Sequence, residues 1–173
     1  MTQPLDQAGL KAALKQHHDA AWAWALACCQ RDRDAAHDVL HDAYLTVLQR
    51  RARYLGRSTF KTWLFGVIRV CAQAARRRKR LLGLIFDPIV DHPHLAEAPA
   101  EPALLATSQR LRRELLALPI RQRQVVALVF EQDLTLDEAS EVLGISPGAC
   151  RKHYARAKTR LRSCVGDREA DDE

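Results

Sequence analysis

From Leu134 to Arg162 the chain reads LTLDEASEVLGISPGACRKHYARAKTRLR, and this stretch decides the fold. Thr135 is placed to cap a helix carrying Leu136, Ala139, Val142 and Leu143 on one face, and Gly144-Ile145-Ser146 supplies a tight turn. Ser146 caps a second helix whose first position tolerates Pro147, with Cys150, Tyr154, Ala157 and Leu161 repeating as its buried stripe. The small Ala139 lets the two helices cross closely. The pattern is a helix-turn-helix.

Geometry then sets the outer face of the second helix. It presents Gly148, Lys152, Ala155, Arg156 and Thr159, flanked by Arg151 and Lys158 on one side and His153 and Arg160 on the other. Residues 147–162 hold six Lys or Arg and no Asp or Glu. An ordinary helical hairpin with a basic polar face is the alternative, but a solvated helix normally mixes signs to gain i,i+4 pairs. A face of one sign repels itself unless a polyanion compensates. Such a helix suits a major groove, with its first amides near a phosphate and its side chains near base edges. The candidate duplex contacts are Ser146, Gly148, Ala149, Arg151, Lys152, His153, Ala155, Arg156 and Lys158.

Working outward, the periodicity stays helical. Leu14, Ala21, Trp22, Ala25, Leu26 and Cys29 suggest one helix, Ala36, Val39, Leu40, Ala43, Tyr44, Val47 and Leu48 a second, and Phe60, Trp63, Leu64, Val67, Ile68, Cys71, Ala72 and Ala75 a third. Ser58 or Thr59 caps the third, and Arg50 to Arg57, with Gly56, is the loop before it. Further on, helices are expected over 104–118, 121–131, 136–143 and 147–162, with a break at Pro119. No stretch alternates with period two, so the class is all-α.

Charge divides the chain. Its 173 residues carry a net +6, yet residues 1–86 are +9, residues 87–103 are −4 and residues 104–165 are +5. The segment 87–103 holds four of the seven prolines and no glycine, which predicts a flexible acidic, proline-rich linker between two small helical domains spanning 10–86 and 104–165. Residues 166–173 form an acidic tail. The basic balance points to an anionic partner such as nucleic acid. No apolar run approaches the roughly 18 residues of a membrane span, and Met1 to Leu10 lacks a secretory pattern, so a cytoplasmic protein without direct membrane insertion is expected. Five cysteines at 28, 29, 71, 150 and 164 show no C-x-x-C spacing and read as buried thiols.

The first domain mixes Tyr54, Phe60, Trp63 and Phe65 with Arg50, Arg51, Arg53, Arg57, Lys61 and Arg69, and its last helix ends in Arg76-Arg77-Arg78-Lys79-Arg80. That combination suits unpaired DNA, whose bases stack on rings while phosphates follow positive charge. Phe60 and Trp63 lie on the apolar stripe, which leaves Tyr54 and Phe65 as the rings expected at the surface. His37-Asp38-Val39-Leu40-His41 is a partial match to the H-E-x-x-H of zinc hydrolases. Aspartate is a methylene too short and no third ligand stands at a meaningful spacing, so no metal or cofactor is expected. No nucleophile triad, phosphate-binding glycine loop or carboxylate dyad is evident, and the chain is not expected to be an enzyme.

Three motifs carry a resemblance. Ala36-His37-Asp38-Val39-Leu40-His41-Asp42-Ala43-Tyr44 is similar to A-E-D-L-V-Q-E-x-F, Ser58-Thr59-Phe60-Lys61-Thr62-Trp63-Leu64-Phe65 to S-S-F-R-T-W-L-Y, and Leu118-Pro119-Ile120-Arg121-Gln122-Arg123-Gln124-Val125 to L-P-x-x-x-R-x-V. In this order, across a proline-rich linker, they resemble the extracytoplasmic-function sigma factors of bacterial RNA polymerase. The resemblance implies a region 2-like first domain that docks on core polymerase through Asp38, His41 and Asp42. It implies minus-ten recognition and melting through Tyr54, Lys61, Phe65, Arg69, Val70, Arg76 and Arg77, and a region 4-like second domain that reads the minus-thirty-five element. It further implies promoter DNA and an anti-sigma factor as partners. Val70 stands where the family usually has asparagine, Ala74 where it has aspartate, and Lys152 and His153 where serine and arginine are common. A stand-alone, dimeric helix-turn-helix regulator is the competing reading. It would need a ligand pocket or dimerisation seam where this chain has a polymerase-docking pattern.

Overall fold

The computed structural model describes the backbone of residues 6–83 and 102–166, and the side chains of 6–83 and 109–162. Most of the expected linker, residues 87–101, and the tail from 167 lie outside the described residues. Pro102 and Ala103, read as linker, instead open a helix.

The described first half contains α1 (Gln7–Gln16), α2 (His18–Cys28), α3 (Arg33–Leu48) and α4 (Phe60–Leu81). The first expected helix is thus two. The chain leaves helical geometry at His17 (φ −102°, ψ 13°), which lets the Leu10 and Leu14 face of α1 meet the core at a different angle from α2. Asp6, Asp32 and Thr59 cap α1, α3 and α4, each accepting from a backbone N–H three residues on. Between α2 and α3, Gln30 and Arg31 both take positive φ, a conformation that costs non-glycine residues roughly 1–2 kcal/mol each. That turn aims Arg31 at Glu131, 3.2 Å away in the other half.

The second half comprises α5 (Pro102–Ala117), α6 (Ile120–Val126), a wider π turn over Ala127–Glu131, α7 (Leu136–Leu143) and α8 (Pro147–Gly166). The expected continuous helix 121–131 therefore loosens after Val126. Its exposed Phe130 stacks against Tyr154 at 6.0 Å. No strand occurs among the described residues. Thr135 closes a capping box with Glu138, and Gly144 takes the left-handed conformation (φ 56°) that the turn requires and that glycine adopts without a Cβ penalty.

The helices of 6–83 and those of 102–166 are docked on each other. One core runs from Leu10, Trp24, Val39, Phe65 and Ile68 into Val125, Leu128, Ala139, Val142, Leu143 and Cys150. The contact is chiefly α4 against α7. The small buried Ala139 and Ser140 let the helices approach, and the buried Thr62 of α4 donates to Glu138 of α7 at 3.5 Å. Lys61 donates to the backbone carbonyl of Gln132. A second, smaller cluster of Leu118, Val126 and Ala157 holds α8 to its own domain.

Candidate nucleic-acid and polymerase interfaces

The outer face of α8 follows from its cap and its stripe. The amide of Ala149 donates to Ser146 Oγ at 3.2 Å, and Cys150 and Ala157 are fully buried, with Tyr154 and Leu161 half-buried. Gly148, Arg151, Lys152, Ala155, Arg156, Lys158, Thr159 and Arg160 are exposed, and His153 is half-buried. The basic residues differ in their engagements. Arg151 bonds Asp137 at 3.1 Å, Lys158 lies 5.7 Å from the Tyr154 ring, and Arg160 pairs with Glu114 at 3.5 Å. Among the described residues, Lys152 and Arg156 make no ion pair, so the middle of the face is open to an outside anion or base edge.

The melting-type residues are scattered. The rings of Tyr54, Phe60 and Trp63 form a half-buried cluster with centroids 5.3–5.4 Å apart, and Tyr54 Oη donates to the Ser58 carbonyl at 2.7 Å. This cluster pins the 50–58 loop against the start of α4. The expected exposure of Phe65 is corrected by the structure. Its side chain is fully buried and stacks on Trp24 at 5.9 Å, while its carbonyl accepts from Trp24 Nε1 at 3.0 Å. Position 65 falls where the α4 stripe meets the all-round apolar α2, which hides it from a base. Val70 is 55% exposed. It borders a cavity between α3, the 50–58 loop, α4 and α7 that Trp63, Arg69 and Glu141 also line. Arg77 is exposed and Arg76 half-buried. Arg69 is half-buried, its guanidinium about 3.5 Å from where a Cβ on Gly144 would stand.

On α3, Asp38 and His41 are exposed, and Asp42, partly covered, accepts from Arg78 of α4 at 3.3 Å. The buried Ala36, Val39, Leu40 and Ala43 point the other way, so the three lie on the face that the domain leaves uncovered. His37 meets Trp22 edge-on at 6.1 Å. Among the described residues no cluster of three His, Cys, Asp or Glu side chains is placed to hold a metal. Burial pushes the Cys28 thiol well up and the Cys29 thiol up to about 11, which leaves both protonated and unreactive near neutrality.

Sequence reasoning missed the groups that join the halves: Thr62 with Glu138 and Arg31 with Glu131. A Thr-x-x-Glu spacing before an apolar run could have flagged the capping box of Glu138. Nothing in a single sequence signals a pairing between residues as far apart as Arg31 and Glu131.

Comparison with known proteins converges on one family. Residues 13–81 match Sigma-70 region 2 and residues 108–161 match Sigma-70 region 4. The chain is 32% identical over 140 residues to the ECF RNA polymerase sigma factor ShbA of Streptomyces griseus, covering 75% of this chain and 73% of that one. It is 31% identical over 150 residues to the RNA polymerase sigma factor CarQ of Myxococcus xanthus, covering 84% and 83%. With the probable RNA polymerase sigma factor RfaY of Xanthomonas campestris it shares 29% identity, over 77% of this chain but only 34% of that longer protein. In fold it resembles the sigma factor RpoE of Bartonella quintana, solved in complex with the anti-sigma factor NepR, with a TM-score of 0.66 at 22% identity, covering 94% of this chain and 98% of that one. CnrH, solved with the cytosolic domain of CnrY, gives 0.60 at 20% identity, covering 96% and 92%. Two region matches in the expected order, with a relative at 32% identity across most of both chains, make this chain a member of the extracytoplasmic-function (ECF) RNA polymerase sigma factors, which direct promoter-specific initiation of transcription.

Proposed function

We propose that the chain joins core RNA polymerase through the outer face of α3, with Asp38, His41 and Asp42 as the contacts. It then reads minus-thirty-five duplex with α8 and assists minus-ten opening with α4 and the loop before it. The carrying observation is the α8 face, exposed and of one sign, with Lys152 and Arg156 open at its centre. These two residues read base edges, while Arg151 and Lys158, on the flanks, contact phosphate. Lys61, Arg69 and Arg76 serve the opened strand, with Tyr54 and its ring neighbours shaping the loop. Val70 offers no hydrogen bond to a base, so the upstream element carries more of the specificity. Domains 10–86 and 104–165 act as separate readers joined by the segment between them, whose last two residues, Pro102 and Ala103, open α5.

The docked arrangement bears on this reading. Lys61 and Arg69 face the second half, so the halves must separate before α4 can meet DNA. An anti-sigma factor that binds both halves would oppose that step; a sigma factor of similar fold has been solved in complex with an anti-sigma factor. The factor works in the cytoplasm and performs no chemistry itself; among the described residues no helix is long and apolar enough to cross a membrane.

The test is retention of the chain on immobilised core polymerase. Asp42→Lys reverses a charge on the proposed docking face, and its exposed pair with Arg78 contributes only about 0–1 kcal/mol to the fold. Retention should fall several-fold with helicity unchanged. Undiminished retention of a natively helical variant removes α3 as the docking face.

A further inference from the structure

Between the docked halves lies a cavity of about 110 Å³ whose lining is basic from both sides. Arg69 and Arg76 reach it from α4 and Arg121 from α6, with Gln73 and Gln124 as the other polar residues and Cys28 behind them. Among the described residues no carboxylate lines it. Arg69 Nε and Arg121 Nη1 are buried and find no hydrogen-bond acceptor among the described residues. Such an arrangement opposes its own formation. Like charges converge as the halves close, and two charged donors lose water without gaining a partner. The same crowding lowers the Arg69 pKa, first through burial and next through the neighbouring Arg121. Both halves also carry net positive charge, +9 for residues 1–86 and +5 for residues 104–165.

One occupant resolves all of these at once. Arginine presents a planar fork of donors that matches phosphate oxygens, and an anion between three guanidiniums converts their repulsion into attraction. The volume far exceeds the roughly 10–15 Å³ that one water requires, so a tetrahedral oxyanion fits together with water. Since Arg121 belongs to one half and Arg69 and Arg76 to the other, the site is complete only when the halves are docked. We propose that this cavity binds a small oxyanion of the phosphate class, and that its occupancy clamps the factor in the docked state. The regulatory consequence rests on the reading above, in which the halves must part for α4 to meet DNA. The anion is then an inhibitor of initiation.

The experiment titrates the full chain with inorganic phosphate and, separately, pyrophosphate, against chloride at matched ionic strength. It reads heat of binding, thermal midpoint and radius of gyration in solution. One site per chain is expected, with a raised midpoint and a smaller radius on binding. Arg121→Gln should weaken binding by about tenfold or more, as loss of a charge-assisted hydrogen bond implies. Arg121→Glu supplies the anion from within. It should raise the midpoint without added phosphate and abolish the response. An exposed control, Lys11→Gln, should respond as the native chain does. Equal responses of the native chain and Arg121→Gln, or responses to both phosphate and pyrophosphate no larger than that of chloride, overturn the site. If pyrophosphate binds and inorganic phosphate does not, the ligand is the larger member of the class. Core-polymerase retention in phosphate-free buffer is scored alongside. Loss of retention with an intact titration refutes the docking reading and leaves the anion site standing, whereas the converse result refutes the site alone.

Discussion

At the scale of single residues, Phe65 and Val70 show how one helix face turns into another within a turn and a half. Phe65 faces α2 and is sealed beneath Trp24; Val70 stands 55% exposed on the far side. Truncating the first is therefore a stability experiment. Phe65→Ala should cost about 3–5 kcal/mol, measured as a shift in the urea midpoint, and any loss of DNA opening should track that unfolding. Normal stability with selective loss of opening would return Phe65 to the role of a stacking ring. Val70→Asn is the opposite case. An exposed change of this kind leaves stability within about 0.5 kcal/mol, but it restores an amide that can hydrogen-bond an extruded base. Run-off transcription from promoters substituted base by base should show sharper discrimination at minus ten. No sharpening would mean that a neighbour such as Arg69 or Gln73 already reads the base. Phe65 was misplaced from sequence because it falls off the stripe that Phe60, Trp63, Leu64, Val67 and Ile68 define, and only the packing of α2 against α4 decides its direction.

At the scale of elements, α7 ties a local cap to the docking of the halves. Glu138 accepts from the Thr135 backbone and hydroxyl at 3.0 and 2.8 Å and also from Thr62 across the interface. The Thr135 hydrogen bonds hold its carboxyl below the usual 4.5, with smaller help from Thr62 and Lys61. His17, beside Phe60, is held below its usual 6.5 by burial first and by Lys61 second. In both, the folded pKa lies under the unfolded one, so each stabilises fully above its unfolded value and loses that contribution as pH falls through the folded one. Stability should decline first below about pH 6.5 and more steeply below about pH 4.5. Glu138→Gln should flatten the lower part of the curve; an unchanged slope in that variant would exclude the capping box as the acid-sensitive group. The helix-turn-helix, with its caps and its turn glycine, was legible in sequence because short-range rules govern each of those positions. The split at His17 and the π turn after Val126 were not. Both are adjustments to neighbouring helices, and periodicity within a segment carries no record of them.

At the scale of the whole molecule, two basic domains share a core that sequence alone presented as two. The linker composition spoke for separation, while the docking of α7 on α4 depends on shape, through Ala139, Ser140 and Thr62, which composition does not reveal. The proposed function has the same chain bind polymerase with one half and duplex DNA with the other. The most direct test is run-off transcription by core polymerase from a library of linear templates, with and without the chain. The account predicts discrete starts that appear only with the chain and share an upstream element at a fixed distance. Arg156→Ala should cost roughly 1–3 kcal/mol and relax preference at one position of that element, whereas Arg151→Ala weakens all templates alike. Starts that are the same without the chain, or an Arg156→Ala variant that lowers every template equally, would contradict it.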